Sequence, residues 1–316
     1  MNDVKKESSG ERAAAVRHAL ELLGRGRAAE AERELAALVS APWGTGPDDI
    51  RLRAHVLDGL GRARFALRDP EGGVAALRLA VDCLTGASAS PDGRVPHSAP
   101  PSSADAVPPT PFAHGHEGLL PLRCRALQNL CFALSETGAV EESAAVGGEA
   151  ARLAEAIFGP QSPELAGALL RLSAAPYRGR DLDAAEALIR RAMSIWQAQP
   201  GPAPEQVGTC LNNLGRIHEE RGDMAAGIAF HRQAVAFRRT LPNREDLAFS
   251  LGNLGVALAQ DGQWSEACAA LEESLKLYAA LDKGDGPEAR GYAANLAVCR
   301  RALHAEYPEN TGDTHE

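Results

Sequence analysis

A two-residue motif, a leucine followed by a small residue, recurs along this chain at a nearly constant step. Its copies are Leu60-Gly61, Leu130-Cys131, Leu172-Ser173, Leu214-Gly215, Leu254-Gly255 and Leu296-Ala297. Successive leucines are 70, 42, 42, 40 and 42 residues apart. A fixed period in this range is typical of arrays in which each repeat packs on its neighbours. The period therefore predicts stacked units with an extended surface, rather than a single core around a catalytic pocket.

Each repeat is predicted to be a helix, a tight turn and a second helix. The predicted turns lie about eight residues after the leucine position, at Gly26, Arg68, Gly138, Arg180, Gly222 and Gly262. Glycine ends a helix in the left-handed conformation at the lowest cost. Short polar side chains that can cap the next helix follow some of these turns, at Asp69, Asp181 and Asp223. Apolar residues then return at helical spacing, as in Ala185, Ile189 and Met193.

Small residues recur in both helices of a repeat, as in the pairs Gly61 with Gly73 and Gly215 with Gly227. Two helices approach closely only where no bulky side chain intervenes, so these pairs predict the crossing points. Leu254-Gly255 followed by Ala267 and Leu271 resembles the signature of the tetratricopeptide repeat. The step near 42 and the segment from Phe158 to Leu165 are similar to the longer repeats of kinesin light chains.

This resemblance implies an all-α fold, a right-handed α-α superhelix (a solenoid) of about six helix pairs and a C-terminal capping helix. We assign residues 11–85 to the first two repeats and residues 119–288 to repeats three to six. Residues 289–304 are predicted to form the capping helix, and residues 305–316 a flexible tail. Pro176 lies within the first helix of the fourth repeat, where it is expected either to bend the groove or to end that helix early.

Residues 86–118 interrupt the array and account for the long first step. They are rich in proline, serine and alanine, and such a segment buries too little surface to offset its ordering entropy. We expect a disordered insertion. Its His114 and His116 have no nearby cysteine or paired carboxylate, so a metal site there is disfavoured.

Composition narrows the function further. The six cysteines form no C-x-x-C pair, which favours structural thiols in a reducing compartment and hence a cytoplasmic protein. No signal peptide and no run of 18 apolar residues is evident, so no membrane contact is expected. A net charge of −9 disfavours general nucleic-acid binding. No phosphate-binding loop, nucleophile elbow or zinc-protease motif occurs, and we expect neither catalysis nor a cofactor.

The candidate binding residues lie just before the repeated leucines and one helical turn beyond them. In this family, the residue before the leucine lines the concave groove, where asparagines can form a ladder that binds a peptide backbone. An amide offers both a donor and an acceptor to such a backbone. The predicted groove residues are Asn129, Arg171, Asn213, Asn253, Asn295, Arg62, Phe132, Tyr177, Arg178 and Arg216.

The arginines favour a protein or extended-peptide partner that carries carboxylates. The asparagines are equally compatible with a purely structural role between helices. Two other functions stay open at this point: a regulatory or sensory module that binds a small ligand or short oligopeptide, and a self-assembling structural unit. The sequence does not indicate the oligomeric state.

Overall fold

The computed structural model describes residues 2–85, 119–201 and 204–306, and within these ranges the chain forms helices and no β-strand. This confirms the predicted all-α class. The predicted insertion at 86–118 and residues 307–316 of the predicted tail lie outside the described residues. The described helices are α1 (Asn2–Gly24), α2 (Ala28–Val39), α3 (Pro47–Ala66), α4 (Pro70–Thr85), α5 (Leu120–Glu136), α6 (Val140–Phe158), α7 (Pro163–Leu172), α8 (Ala174–Arg178), α9 (Leu182–Gln197), α10 (Gln206–Glu220), α11 (Met224–Arg239), α12 (Arg244–Gln260), α13 (Trp264–Ala280) and α14 (Pro287–Glu306).

All six predicted turns are present, and each has a residue with positive φ at the expected position. The φ angles are 77° at Gly26, 62° at Arg68, 81° at Gly138, 67° at Arg180, 81° at Gly222 and 76° at Gly262. The next helix is capped by Asp69, whose Oδ1 accepts from the Gly72 amide at 2.9 Å, and by Asp223, whose Oδ1 accepts from the Ala226 amide at 3.1 Å. These turns reverse the chain between the two helices of a repeat.

The small residues mark close helix crossings, as predicted. A Cβ atom added to Gly61 would lie 3.0 Å from the carbonyl oxygen of Gly73, and one added to Gly73 would lie 3.1 Å from the carbonyl oxygen of Gly61. A larger side chain at either position would therefore push α3 and α4 apart.

The first helix of the fourth repeat ends early. Helix α7 stops at Leu172 and the short helix α8 begins at Ala174. Pro176 has no amide hydrogen to donate to the carbonyl of Leu172, so this helical hydrogen bond is missing, whereas the amide of Tyr177 still donates to the carbonyl of Ser173 at 3.2 Å. Of the two outcomes expected for Pro176, the structure shows the early end.

The described residues form two compact units that divide between Asp181 and Leu182. The N-terminal unit contains α1–α8, and one of its cores is built from Val16, Leu22, Leu35, Val56 and Leu60. The C-terminal unit contains α9–α14, and its core includes Leu247, Leu251, Leu271, Tyr278 and Tyr292. The division falls inside the predicted fourth repeat, with α7 and α8 in one unit and α9 in the other.

Helix α14 is two residues longer at each end than the capping helix predicted at 289–304. None of the helices in the described ranges is long and apolar enough to cross a membrane.

Candidate binding faces on the first helices

In the N-terminal unit, the first helices α3, α5 and α7 contact one another in chain order. A polar cluster lies along them, formed by Asp58, Arg62, Asn129, Phe132 and Arg171. The Asp58 side chain is only 2% exposed although it lies among apolar neighbours in the sequence. Its Oδ1 accepts from the Asn129 amide nitrogen at 2.6 Å, and its Oδ2 lies 3.9 Å from Arg62 Nη1. The carboxylate of α3 is thereby linked to the predicted groove asparagine of α5.

Arg171, on α7, completes this cluster. Its guanidinium carbon lies 5.9 Å from the centre of the Phe132 ring, which is 44% exposed. Its guanidinium forms no ion pair or hydrogen bond with any side chain in the described part of the protein. Burial lowers the pKa of the Arg171 guanidinium, while the more distant charge of Asp58 opposes that shift. The cluster thus contains a half-buried cation without a carboxylate partner at contact distance.

A third cation, Arg125, borders this cluster. Arg125 Nη2 lies 3.0 Å from Nδ1 of His55, which therefore acts as the acceptor. Burial, and then the charge of Arg125, lowers the pKa of His55. The imidazole is held neutral, so the positive charge at this point belongs to Arg125.

The two remaining groove candidates of the N-terminal unit lie on α8. Arg178 forms an ion pair with Glu136 of α5. Tyr177 is half-buried beside it. The charge of Arg178 is thus already paired, unlike that of Arg171.

In the C-terminal unit, the first helices α10, α12 and α14 carry Asn213, Asn253 and Asn295, which are all half-buried. The hydroxyl of Tyr292 donates to Asn253 Oδ1 at 3.1 Å, and the Asn295 amide nitrogen donates to the carbonyl of Gly291 at 3.0 Å. No hydrogen bond joins the Asn213 amide to another described residue. Arg216 is exposed one turn beyond Asn213.

The comparisons with known proteins concern the repeats that carry these helices. Family models described as tetratricopeptide repeat match residues 168–240 and residues 248–281. These two stretches of the chain are tetratricopeptide repeats. A search of the curated proteins found no match to this sequence.

Several solved structures have folds similar to that of this chain. BtubC (BKLC) from P. vanneervenii is 18% identical over 87% of this chain and 92% of its own, with a TM-score of 0.52. A variant of the TPR-like repeats of a putative kinesin light chain from Podosopora anserina is 18% identical over 60% and 90%, with a TM-score of 0.50. A Rap protein complexed with Competence and Sporulation Factor is 11% identical over 92% and 75%, with a TM-score of 0.54. At these identities the likeness concerns the fold.

Four residues that shape the first-helix faces were not among the predicted groove residues. These are Asp58, Phe249, Gly291 and Tyr292. Asp58 could have been noticed, because it is a lone acid in the apolar run from Val56 to Leu60. The other three show no unusual pattern in the sequence, and their roles depend on which helices become neighbours.

A metal centre has no support in the described residues of the repeat protein. No group of three or more histidine, cysteine, aspartate or glutamate side chains within the described ranges could hold a metal ion. His114 and His116 lie outside those ranges.

Proposed function

We propose that this protein is a non-catalytic scaffold that binds an extended peptide, or an extended segment of a partner protein, on its first helices. The repeats matched by the family models support a protein-binding role. The similar Rap protein was solved in complex with Competence and Sporulation Factor, which is a precedent for a ligand bound by a fold of this kind.

The observation that carries the proposal is the unpaired Arg171 of the N-terminal unit. A cation that is partly removed from water, without a contacting carboxylate, loses hydration free energy that an ion pair could restore. A ligand carboxylate could accept two parallel hydrogen bonds from the guanidinium fork. The exposed ring of Phe132 beside it offers an apolar contact to the same ligand. We therefore propose that the partner carries an acidic side chain or a C-terminal carboxylate.

Asn129 plays a restricted part in this proposal. One hydrogen of its amide nitrogen is donated to Asp58, and its carbonyl oxygen can accept from a peptide N–H. Arg62 lies beside the same aspartate and is about half exposed, at 52%. It can adjust toward a ligand carboxylate without leaving the surface.

The proposed setting is the cytoplasm. All six cysteines lie in the described ranges and are free thiols, and five of them are buried. Disulfides are rare in reducing compartments, which is consistent with this placement. The net charge of −9 argues against a general nucleic-acid partner.

Peptide selection tests this function. The full chain would be immobilised and a phage-displayed library of random dodecapeptides selected on it, with enriched peptides resynthesised and measured by fluorescence polarisation. We expect selected acidic peptides to lose affinity about tenfold or more in R171Q, because a charge-assisted hydrogen bond contributes roughly 1.5–3 kcal/mol. Replacing the acidic residue of the peptide by its amide should cost a similar factor.

A matched control is R152Q. Arg152 is an exposed arginine of α6, in the same unit but on a second helix, so its replacement should leave the affinity unchanged. Failure of the library to yield any peptide above background would contradict the proposed function. Equal losses of peptide affinity in R152Q and R171Q would mean that only the net charge of the protein matters.

A further inference from the structure

Helices α12 and α14 carry the same residue types at two equivalent positions and differ one turn before the first of them. Asn253 and Asn295 are equivalent, as are Val256 and Val298, because each pair is separated by 42 residues. One turn before each asparagine, α12 has Phe249 and α14 has Gly291. Phe249 is 41% exposed, and a Cβ added to Gly291 would meet no atom within 4 Å. The glycine thus leaves open space in the row of side chains that includes an exposed aromatic ring.

Tyr292 joins the two helices at this place. A Cβ on Gly252 would lie 2.2 Å from the Tyr292 ring, so the ring lies directly against the α12 backbone. The Tyr292 hydroxyl reaches the carbonyl oxygen of Phe249 at 3.3 Å as well as Asn253 Oδ1. Tyrosine therefore fixes the Asn253 side chain beside Phe249.

Each flanking amide retains one unused group. Asn253 accepts from Tyr292 through its oxygen, which leaves its NH₂ group to donate. Asn295 donates to the Gly291 carbonyl through its nitrogen, which leaves its oxygen to accept. The pair offers one donor and one acceptor, which is the complement of a peptide backbone.

The residues of this row that lie nearest the two amides are apolar. The residues that face solvent beside them are Phe249, Val256 and Val298, and Val298 is 48% exposed. This contrasts with the polar cluster of the N-terminal unit, which contains Asp58, Arg62 and Arg171. These apolar neighbours favour an apolar side chain of the ligand at this place, because a charged side chain would lose hydration against Phe249 without gaining an ion pair there.

We propose that Phe249 and Gly291 form a subsite for one large apolar side chain of an extended peptide, whose backbone is bound by Asn253 and Asn295. The subsite rests on the proposed peptide-binding function and adds a side-chain preference to it. Neighbouring helix axes are about 8–10 Å apart, and an extended chain rises about 3.3 Å per residue. The two asparagines therefore bind backbone groups about three residues apart, with the apolar side chain between them.

The test fills the open space at Gly291 with a leucine side chain. A phage library of random dodecapeptides is first selected on the immobilised full chain. We expect selected peptides to share a leucine, isoleucine, phenylalanine or tryptophan, and to lose affinity about tenfold or more in G291L. Thermal unfolding of G291L should be unchanged or shifted upward, because glycine is a poorer helix former than leucine. If G291L loses peptide affinity but not stability, the leucine has taken the space that a side chain of the peptide occupies in the parent protein.

G10L serves as the control, because Gly10 is also an exposed helical glycine with no atom near its added Cβ. It should bind the selected peptides like the parent chain. If peptides are selected and R171Q weakens them while G291L does not, the subsite is overturned and the proposed function stands. If no peptide is selected at all, both are overturned.

Discussion

The imidazole of His231 contacts two polar side chains inside the C-terminal unit, and one of them contacts a third. It is 1% exposed, with Nε2 2.9 Å from Glu219 Oε1 and Nδ1 3.2 Å from Asn212 Oδ1. Asn212 donates in turn to the hydroxyl of Ser250 at 2.9 Å, which links α10 to α12. This network fixes the relation between two neighbouring repeats through hydrogen bonds.

Replacing His231 by alanine should lower the free energy of unfolding by about 3 kcal/mol. The change leaves the buried oxygen of Asn212 and the half-buried carboxylate of Glu219 without their partner and opens a cavity against Gly215. Urea unfolding followed by circular dichroism measures the effect. The neighbouring Q233A is the control, because Gln233 is exposed and should change stability little. Equal stability of H231A and Q233A would show that the network contributes nothing.

Single residues were predicted with mixed success from the sequence. The positions of Asn253 and Asn295 on the first helices follow from the period alone. Their hydrogen bonds do not, because Tyr292 reaches Asn253 only once α12 and α14 are neighbours. Asp58 is a similar case, since its partner Asn129 lies 71 residues further along the chain. Local patterns place a side chain on a helix, but they carry no information on contacts across repeats.

At the scale of elements, the turn between the two helices is the most regular feature of the chain. The same left-handed position is occupied by glycine in four repeats and by arginine in two, at Arg68 and Arg180. A residue with a Cβ atom pays roughly 1–2 kcal/mol to adopt this conformation. The turn therefore tolerates arginine only because the surrounding helices impose the reversal.

Substitutions at this turn position should change the free energy of unfolding in different directions, depending on whether glycine is lost or gained. G138A should lower the free energy of unfolding by about 1 kcal/mol, because Gly138 has a φ of 81° and no nearby atom hinders a methyl group. R68G should not lower it, because it removes the strain at a φ of 62° on an exposed residue. Thermal unfolding of both variants measures the difference. Destabilisation by both would mean that contacts of the Arg68 side chain outweigh its backbone strain.

Elements were well predicted because helix, turn and cap signals are local. The early end of α7 was less certain, since a proline within a helix can kink it or end it. In the structure α7 ends at Leu172, the residue whose carbonyl oxygen Pro176 cannot pair because it has no amide hydrogen. The division between Asp181 and Leu182 was not predicted, because it falls within a repeat whose sequence pattern is continuous.

At the scale of the whole molecule, burial is uneven along the array. Leu251, Gly252 and Gly255 of α12 are buried, whereas the equivalent Ala293, Ala294 and Ala297 of α14 are exposed. In a repeat array each unit is stabilised mainly by its neighbours. The last described helix therefore depends on contacts along one side only.

Backbone amides of α14 should exchange with solvent faster than those of α12. Local opening requires less free energy where fewer apolar contacts are lost. Hydrogen exchange followed by mass spectrometry on peptides covering residues 292–300 and 251–258 makes the comparison within one sample. Equal protection of both segments would contradict the expected weakness of the last helix.

The contact between Gly252 and Tyr292 limits which repeats of this chain could exchange places. The hairpins have similar backbones and nearly equal lengths, so they look interchangeable. They are not, because the tyrosine of one helix requires a glycine at one position of its predecessor, and a Cβ there would lie 2.2 Å from the ring. A hairpin moved to another place in the order would meet a neighbour with the wrong surface. The junctions between repeats therefore encode the order in which the repeats must follow one another.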